Sequence, residues 1–412
     1  MSDRAMRPHL RAFAALIALT LTTSACGGND GNNSAAEPDK IDVAKLDSGN
    51  YPVTPSDVEK TRTSDTGAIL EAIRIGSAMP LLMEIDGRFI HERSRSFGQA
   101  IITPNDPPDV YAATRIGLDE FNSVAPGVVA GWHTRGQRRE EYGLGSSAGL
   151  YVIRFATPEQ ANSAFQALAD RTSGESFGIP GYPQARTKVV ERFEYHPAAM
   201  NSWIALGDIV VHLRIEDPIS SPFEPARAAD LVKRAFDKQI EMLKSYSPTP
   251  VDKIGSLPID VDGLLSRTMP PTKEELPAKG SDPTGVYPKR AALHPESHPD
   301  LARAAYDDAG LDYLTVSGRT FVYRTRDHDS TTRLIAALRP LVAVDENYVK
   351  VDSPPNMPIA QCFGAKPGSS SAWEHPPVCW FAVDRHVAQV YGRNVQDLHQ
   401  RTAAQYKLLV SA

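Results

Sequence analysis

Five constellations in this chain could carry chemistry. Gly145-Ser146-Ser147-Ala148-Gly149 fits the G-x-S-x-G spacing of a nucleophile elbow, which works only on a sharp turn from a strand into a helix. Here charged Arg138-Arg139-Glu140-Glu141 precede the motif and an apolar strand-like run from Leu150 follows it. A flexible turn feeding a strand therefore accounts for the glycines without catalysis. His294 and His298 stand four apart with Glu296 and Asp300 beside them, a spacing that suits a metal only on a continuous helix. Pro295 and Pro299 interrupt such a helix, which leaves a surface loop that caps the helix from Leu301 to Ala309.

His212 and His386 fall on matching hairpin strands, one residue out of register. If partly buried they would titrate near neutral pH. Arg135, Arg138 and Arg139 form a basic spot that Glu140 and Glu141 offset. Cys362 and Cys379, seventeen positions apart, form an even pair once Cys26 is set aside. In an oxidising compartment such a pair reads as one disulfide. No P-loop, G-x-G-x-x-G, H-E-x-x-H or EF-hand loop occurs. Catalytic, cofactor-binding and metal-binding residues are accordingly none, and no cofactor is expected.

The remaining cysteine has its own context. Arg4, Arg7 and Arg11 precede the apolar run from Ala12 to Leu21, and small residues lead to Cys26. Basic head, short apolar stretch and small-residue exit are the regions of a secretory signal peptide, here residues 1–25. Ten helical residues reach only about 15 Å, half of a hydrocarbon core. Thr23-Ser24-Ala25-Cys26 resembles a bacterial lipobox, in which the cysteine sulfur takes a lipid. Thr23 departs from the leucine that the motif prefers. A polar, glycine-rich tether, residues 26–40, follows. The expected location is the outer face of the cytoplasmic membrane, lipid-anchored through Cys26.

The 412 residues carry 44 Lys plus Arg against 50 Asp plus Glu and are 41% apolar. Removing residues 1–25, with three arginines and one aspartate, takes the net charge from −6 to −8. That balance argues against disorder and against nucleic-acid binding through bulk charge.

The elements that must position these residues repeat. Leu150 to Phe155 reads as a strand, and Thr157-Pro158-Glu159-Gln160 opens a helix with hydroxyl cap, N1 proline and a Gln reaching back. Ala161, Ala164, Phe165 and Leu168 mark that helix's inner face. In the second half Thr320 to Arg324 is the strand, Asp327 the cap, and Thr331, Leu334, Ile335 and Leu338 the face. Hairpins beginning at Trp203 and Trp380 follow, each tryptophan a core anchor, and a C-terminal helix follows each hairpin. Ahead of both copies, Ala68 to Gly76 reads as a short helix ended by its glycine.

The order strand, helix, hairpin, helix thus occurs twice. It predicts an α+β fold of two related units, each a mainly antiparallel sheet with helices on one face, ferredoxin-like or resembling an α/β-barrel. The boundaries are an N-terminal domain over 41–246, a proline-rich linker over 247–289 and a C-terminal domain over 290–412. Two such units can pack sheet to sheet and leave a cleft.

Several stretches are similar to a known family. They are Ile41-Asp42-Val43 through Leu46-Asp47-Ser48-Gly49-Asn50-Tyr51-Pro52, Gly149-Leu150-Tyr151-Val152, Ala309-Gly310-Leu311-Asp312, Phe321-Val322-Tyr323-Arg324 and the tail from Gln396 to Tyr406. Together they resemble an uncharacterised two-domain lipoprotein family of actinobacteria with mycolic-acid envelopes. The resemblance implies a cell-surface lipoprotein of unknown function and brings no catalytic residues or ligand. The reading is a non-enzymatic, extracytoplasmic binding module for an envelope lipid, glycan or protein; a secreted cell-envelope hydrolase is the alternative.

Overall fold

The computed structural model describes residues 41–411 apart from 93–94, 96, 103–113, 115, 195, 277–283, 344–347 and 369–374. The expected signal peptide, the lipidation expected at Cys26 and the expected tether lie outside the described residues. Asp42–Ala412 is a compact unit of its own.

The first half holds β1 (Ala100–Ile101), β2 (Val128–Gln137), β3 (Ser147–Phe155), β4 (Glu175–Ser176), β5 (Arg186–Val190), β6 (Ala198–Leu206) and β7 (Ile209–Asp217). Its helices are α1 (Thr66–Ser77), α2 (Leu82–Ile85), α3 (Leu118–Val124), α4 (Pro158–Arg171) and α5 (Pro225–Leu243). The second half holds β8 (Gly285–Pro288), β9 (Tyr313–Ser317), β10 (Thr320–Arg324), β11 (Tyr348–Val351), β12 (Gln361–Ala365), β13 (Val378–Val383) and β14 (His386–Tyr391). With them come α6 (Lys289–Leu293), α7 (Pro299–Asp308), α8 (His328–Ala343) and α9 (Val395–Val410).

Both sheets are antiparallel throughout, and their orders are β1-β2-β3-β7-β6-β5-β4 and β8-β9-β10-β14-β13-β12-β11. The two orders superimpose strand for strand. The fold is α+β with two related units, as the duplicated sequence pattern predicts.

Local signals act where they were read. Thr157 Oγ1 accepts from the Gln160 amide at 3.2 Å, and Asp327 Oδ1 accepts from Ser330 at 2.8 Å. Gln160 does not reach back to complete a capping box; its side chain lies against Gly127, and its Oε1 has no partner. Both hairpins turn through a residue at positive φ, Gly207 and Asp384. Trp203 and Trp380 are fully buried, and Cys362 and Cys379 form a disulfide between register partners on β12 and β13.

Alternation along β3 divides the first core. Leu150 and Val152 join a cluster with α1, α2 and α5, whereas Tyr151, Ile153 and Phe155 pack with α3 and α4 on the other face. The first cluster does not stop at the half: it continues through Tyr287, Leu314, Tyr323, Leu334 and Trp380. The halves therefore share one hydrophobic core rather than facing each other across an open cleft. Helix α1 is the hinge-pin of that joint. Gly76 lets it approach the Trp132 ring, which a Cβ there would meet at 2.6 Å, and Gly67 admits the Ile254 carbonyl oxygen in the same way.

The proline-rich stretch is more structured than a bare linker. It carries a 3-10 turn over Val251–Ser256, and its last residues form β8, the edge strand of the second sheet. At the other end, residues 42–51 are strapped onto α9. Lys407 Nζ donates to the Leu46 carbonyl at 2.9 Å, and Tyr51 donates to Asp397.

Candidate functional site

Where α1, the proline-rich stretch and the second sheet meet, they leave an apolar groove of about 350 Å³. One wall is Val58 with Ile69 and Leu70 of α1, the other Ile259, Leu265 and Leu276. Ile69 and Leu70 are consecutive on α1, so they diverge by about 100°, and both still reach the groove. Pro270 and Pro271 line the facing wall, where a proline N cannot donate to a ladder. Such a volume lies at the lower end of the roughly 300–1,000 Å³ of small-molecule pockets.

Most hydroxyls in this groove are already engaged. Thr61 donates to the Val58 carbonyl, Thr268 to the Leu264 carbonyl, and Thr63 and Thr66 bond each other. Ser317, at the end of β9, is different: it is 1% exposed, and its Oγ has no hydrogen-bond partner. Its register partner Thr320, and Thr315 two residues back, also hold buried hydroxyls without partners. A buried hydroxyl left unmatched is uncommon in native proteins. The groove thus combines an apolar body with an unmatched polar end.

Ser147 stands elsewhere, at the start of β3 in the first sheet. It lines a polar cleft of about 300 Å³ with Arg135, Tyr151, Arg214 and Glu216. Its Oγ is 3.4 Å from Glu216 Oε2, while Glu216 Oε1 is held by Arg214 at 2.6 Å. His196 borders a smaller hollow beside it, but no hydrogen bond joins it to Ser147. The G-x-S-x-G run leads from a hairpin loop into a strand, as its sequence context predicts, and lacks the elbow geometry.

The histidines separate as well. His294 is not on a surface loop: it is buried, with Nε2 3.0 Å from the Gly76 carbonyl. Burial lowers its pKa to about 4. His298 occupies the N-cap position of α7 without a side-chain capping bond. His212 pairs with Trp203, whereas Trp380 pairs with Gln389. His386 therefore lies three residues from the position that matches His212, not one. The His212 ring stacks on Trp203 at 3.8 Å and faces Tyr151 at 5.4 Å. Burial, with Arg214 nearby, holds its pKa well below the usual value. Arg138 is paired with Asp86 at 2.8 Å rather than with Glu140 or Glu141. Among the described residues no group of three His, Cys, Asp or Glu is placed to hold a metal ion, and no helix is long and apolar enough to cross a membrane.

Fold and groove together define a duplicated α+β protein whose halves jointly build one apolar site. The comparisons agree with this division. Models for the N-terminal and C-terminal parts of a domain of unknown function, DUF7373, match residues 58–259 and 264–412. The chain belongs to this two-domain family, and the groove draws residues from both of its parts. No curated protein matches the chain. Among solved structures it is similar to the extracellular domain of PknH from Mycobacterium tuberculosis. That likeness has 12% identity and a TM-score of 0.28, covering 45% of this chain and 96% of that one.

The groove carries no motif. Its walls are ordinary aliphatic residues from segments about 200 positions apart in the chain, and only Ser317 marks its end.

Proposed function

We propose that this chain is an extracytoplasmic binding module, held at the outer face of the cytoplasmic membrane by lipid on Cys26. Its groove takes an apolar small molecule of the envelope that bears one hydrogen-bonding head group. The observation that carries this reading is the apolar groove ending at the buried, unmatched Ser317 hydroxyl. An apolar body fills the space between Leu70 and Leu265 and gains from leaving water. A carbonyl, amide or hydroxyl on the ligand satisfies Ser317, whose burial without a partner costs about 1–3 kcal/mol.

Two measurements test it. The chain is purified from its native membranes and extracted, and the extract is analysed by mass spectrometry. An apolar compound should leave the wild-type protein in near-stoichiometric amount and be absent from Leu70→Arg. Ser317→Ala should retain it with about tenfold weaker affinity. Empty wild-type protein that also fails to take up a fluorescent fatty acid would end the groove reading. Separately, the peptide that begins at Cys26 should carry an acyl mass, and a free thiol on an unprocessed chain would end the anchor reading.

A further inference from the structure

The most exposed large apolar side chains among the described residues are Phe193 at 67%, Tyr142 at 65%, Ile219 at 58% and Leu144 at 57%. They belong to three loops, and strand register brings those loops to one end of the first sheet. Gln137 pairs with Ser147, Ser147 with Glu216, and Ala199 with both Glu216 and Val190. The loops over 138–146, 191–194 and 218–223 therefore leave the sheet side by side.

These side chains are held out on closed turns. Phe193 and His196 exchange reciprocal backbone hydrogen bonds at 2.8 and 3.3 Å, and Glu194 between them takes a positive φ of 50°. Asp217 Oδ1 accepts from the Ile219 and Ser220 amides, both at 3.0 Å. The Leu144 amide donates to the Glu141 carbonyl beside Gly143 at φ 83°. A rigid turn that presents a bare phenylalanine to water has prepaid the ordering cost of a contact.

We propose that this end of the sheet docks on the interface of a lipid bilayer. Separate apolar tips need no complementary mould, because a fluid interface closes around each one, with Tyr and Phe at headgroup level. The three loops carry Arg138, Arg139 and Arg192 against Glu140, Glu141, Glu191 and Glu194. Their sum is near neutral, so apolar burial rather than attraction to anionic lipid drives the contact. Residues 27–40 supply proximity, a contribution that rests on the proposed lipid at Cys26. Residues 27–40 reach at most about 50 Å when extended, which confines the unit to the neighbourhood of the surface where its anchor sits.

The test uses Asp42–Ala412, the part that is a compact unit of its own. It is sedimented with phosphatidylcholine vesicles and with vesicles containing phosphatidylglycerol. The unit should partition onto both, with little change between low and high salt. Tyr142→Ser/Phe193→Ser/Ile219→Ser should lower partitioning at least about a hundredfold, with an unchanged circular dichroism spectrum. Leu301→Ser, at an apolar side chain exposed elsewhere, should leave it unaltered. Absence of vesicle binding, binding only to anionic vesicles that salt abolishes, or capture of a protein partner by the same tips without vesicle binding would each overturn the proposal. None of these outcomes alters the Cys26 peptide mass, so this inference and the anchor reading can fail separately.

Discussion

Glu71 is the buried charge that ties α1 to the rest of the first half, and its removal makes a demanding test. Its side chain is completely buried. It accepts from Arg154 Nη1 at 2.8 Å, from the Thr249 amide at 3.1 Å, from Thr249 Oγ1 at 2.7 Å and from the Tyr246 hydroxyl. Arg74 adds an ion pair at 3.2 Å. One carboxylate thus ties α1 to β3 and to the start of the proline-rich stretch. Breaking a buried pair by removing one partner costs about 3–5 kcal/mol, since the other charge stays behind. Arg154 retains Asp208 at 3.0 Å, itself partly exposed, so Glu71→Ala should fall at the lower end, about 3 kcal/mol. Urea unfolding followed by tryptophan fluorescence, extrapolated at constant m, measures this. Glu241→Ala, which removes an exposed pair with Lys244, should stay within about 0.5 kcal/mol. The pair Glu71→Leu and Arg154→Met should together cost less than their separate sum, by at least about 1 kcal/mol. A loss below about 1 kcal/mol for Glu71→Ala, or strict additivity in the cycle, would refute the role given to this cluster in holding α1.

Two other outcomes follow from the same physical reasoning. Cys362→Ala/Cys379→Ala opens a loop with sequence separation 17 and should lower stability by about 3 kcal/mol, measured by the same unfolding; mass mapping without reductant should find the two residues joined in the wild type. The pKa of His212 is held well below the usual imidazole value by burial, and those of His294 and His386 are lowered to about 4, again by burial first. In the unfolded chain they titrate near 6.5, so from about pH 6.5 down to about 4 the unfolded state takes up protons that the folded state refuses. Stability should be whole above pH 6.5 and fall with acid at about 1.4 kcal/mol per pH unit for each such histidine. His212→Phe, which preserves the stack on Trp203, should lessen that slope by one histidine's share; an unchanged slope would show that this ring is not a refused site.

Short windows of the sequence encode much of the fold. The capped helix after Thr157, its partner after Asp327 and the paired hairpins each declare themselves within about fifteen residues, and their repetition exposed the duplication. β8 was not legible, because Gly285-Val286-Tyr287-Pro288 holds no period of its own and becomes a strand only by pairing with β9. The burial of His294 was also hidden: Pro295 and Pro299 suggest a loop, whereas the Gly76 carbonyl it bonds is over 200 residues away. The groove was the least visible of all. Aliphatic side chains at Leu70 and Leu265 look like core in any window, and only the assembled fold shows a space left between them.

The strap of residues 42–51 along α9 decides how a pull would enter the molecule. Asp42 opens the compact unit, and the strap it begins is bound to α9, so the strap enters at the second half. Tension applied from the N-terminal side loads the contacts of Leu46, Asp47 and Tyr51 with α9 first, and these must peel before any strand of the first sheet feels force. If the chain is held through Cys26 as proposed, a pull would thus strip a short ribbon from α9 while both sheets and the groove between the halves kept their shape.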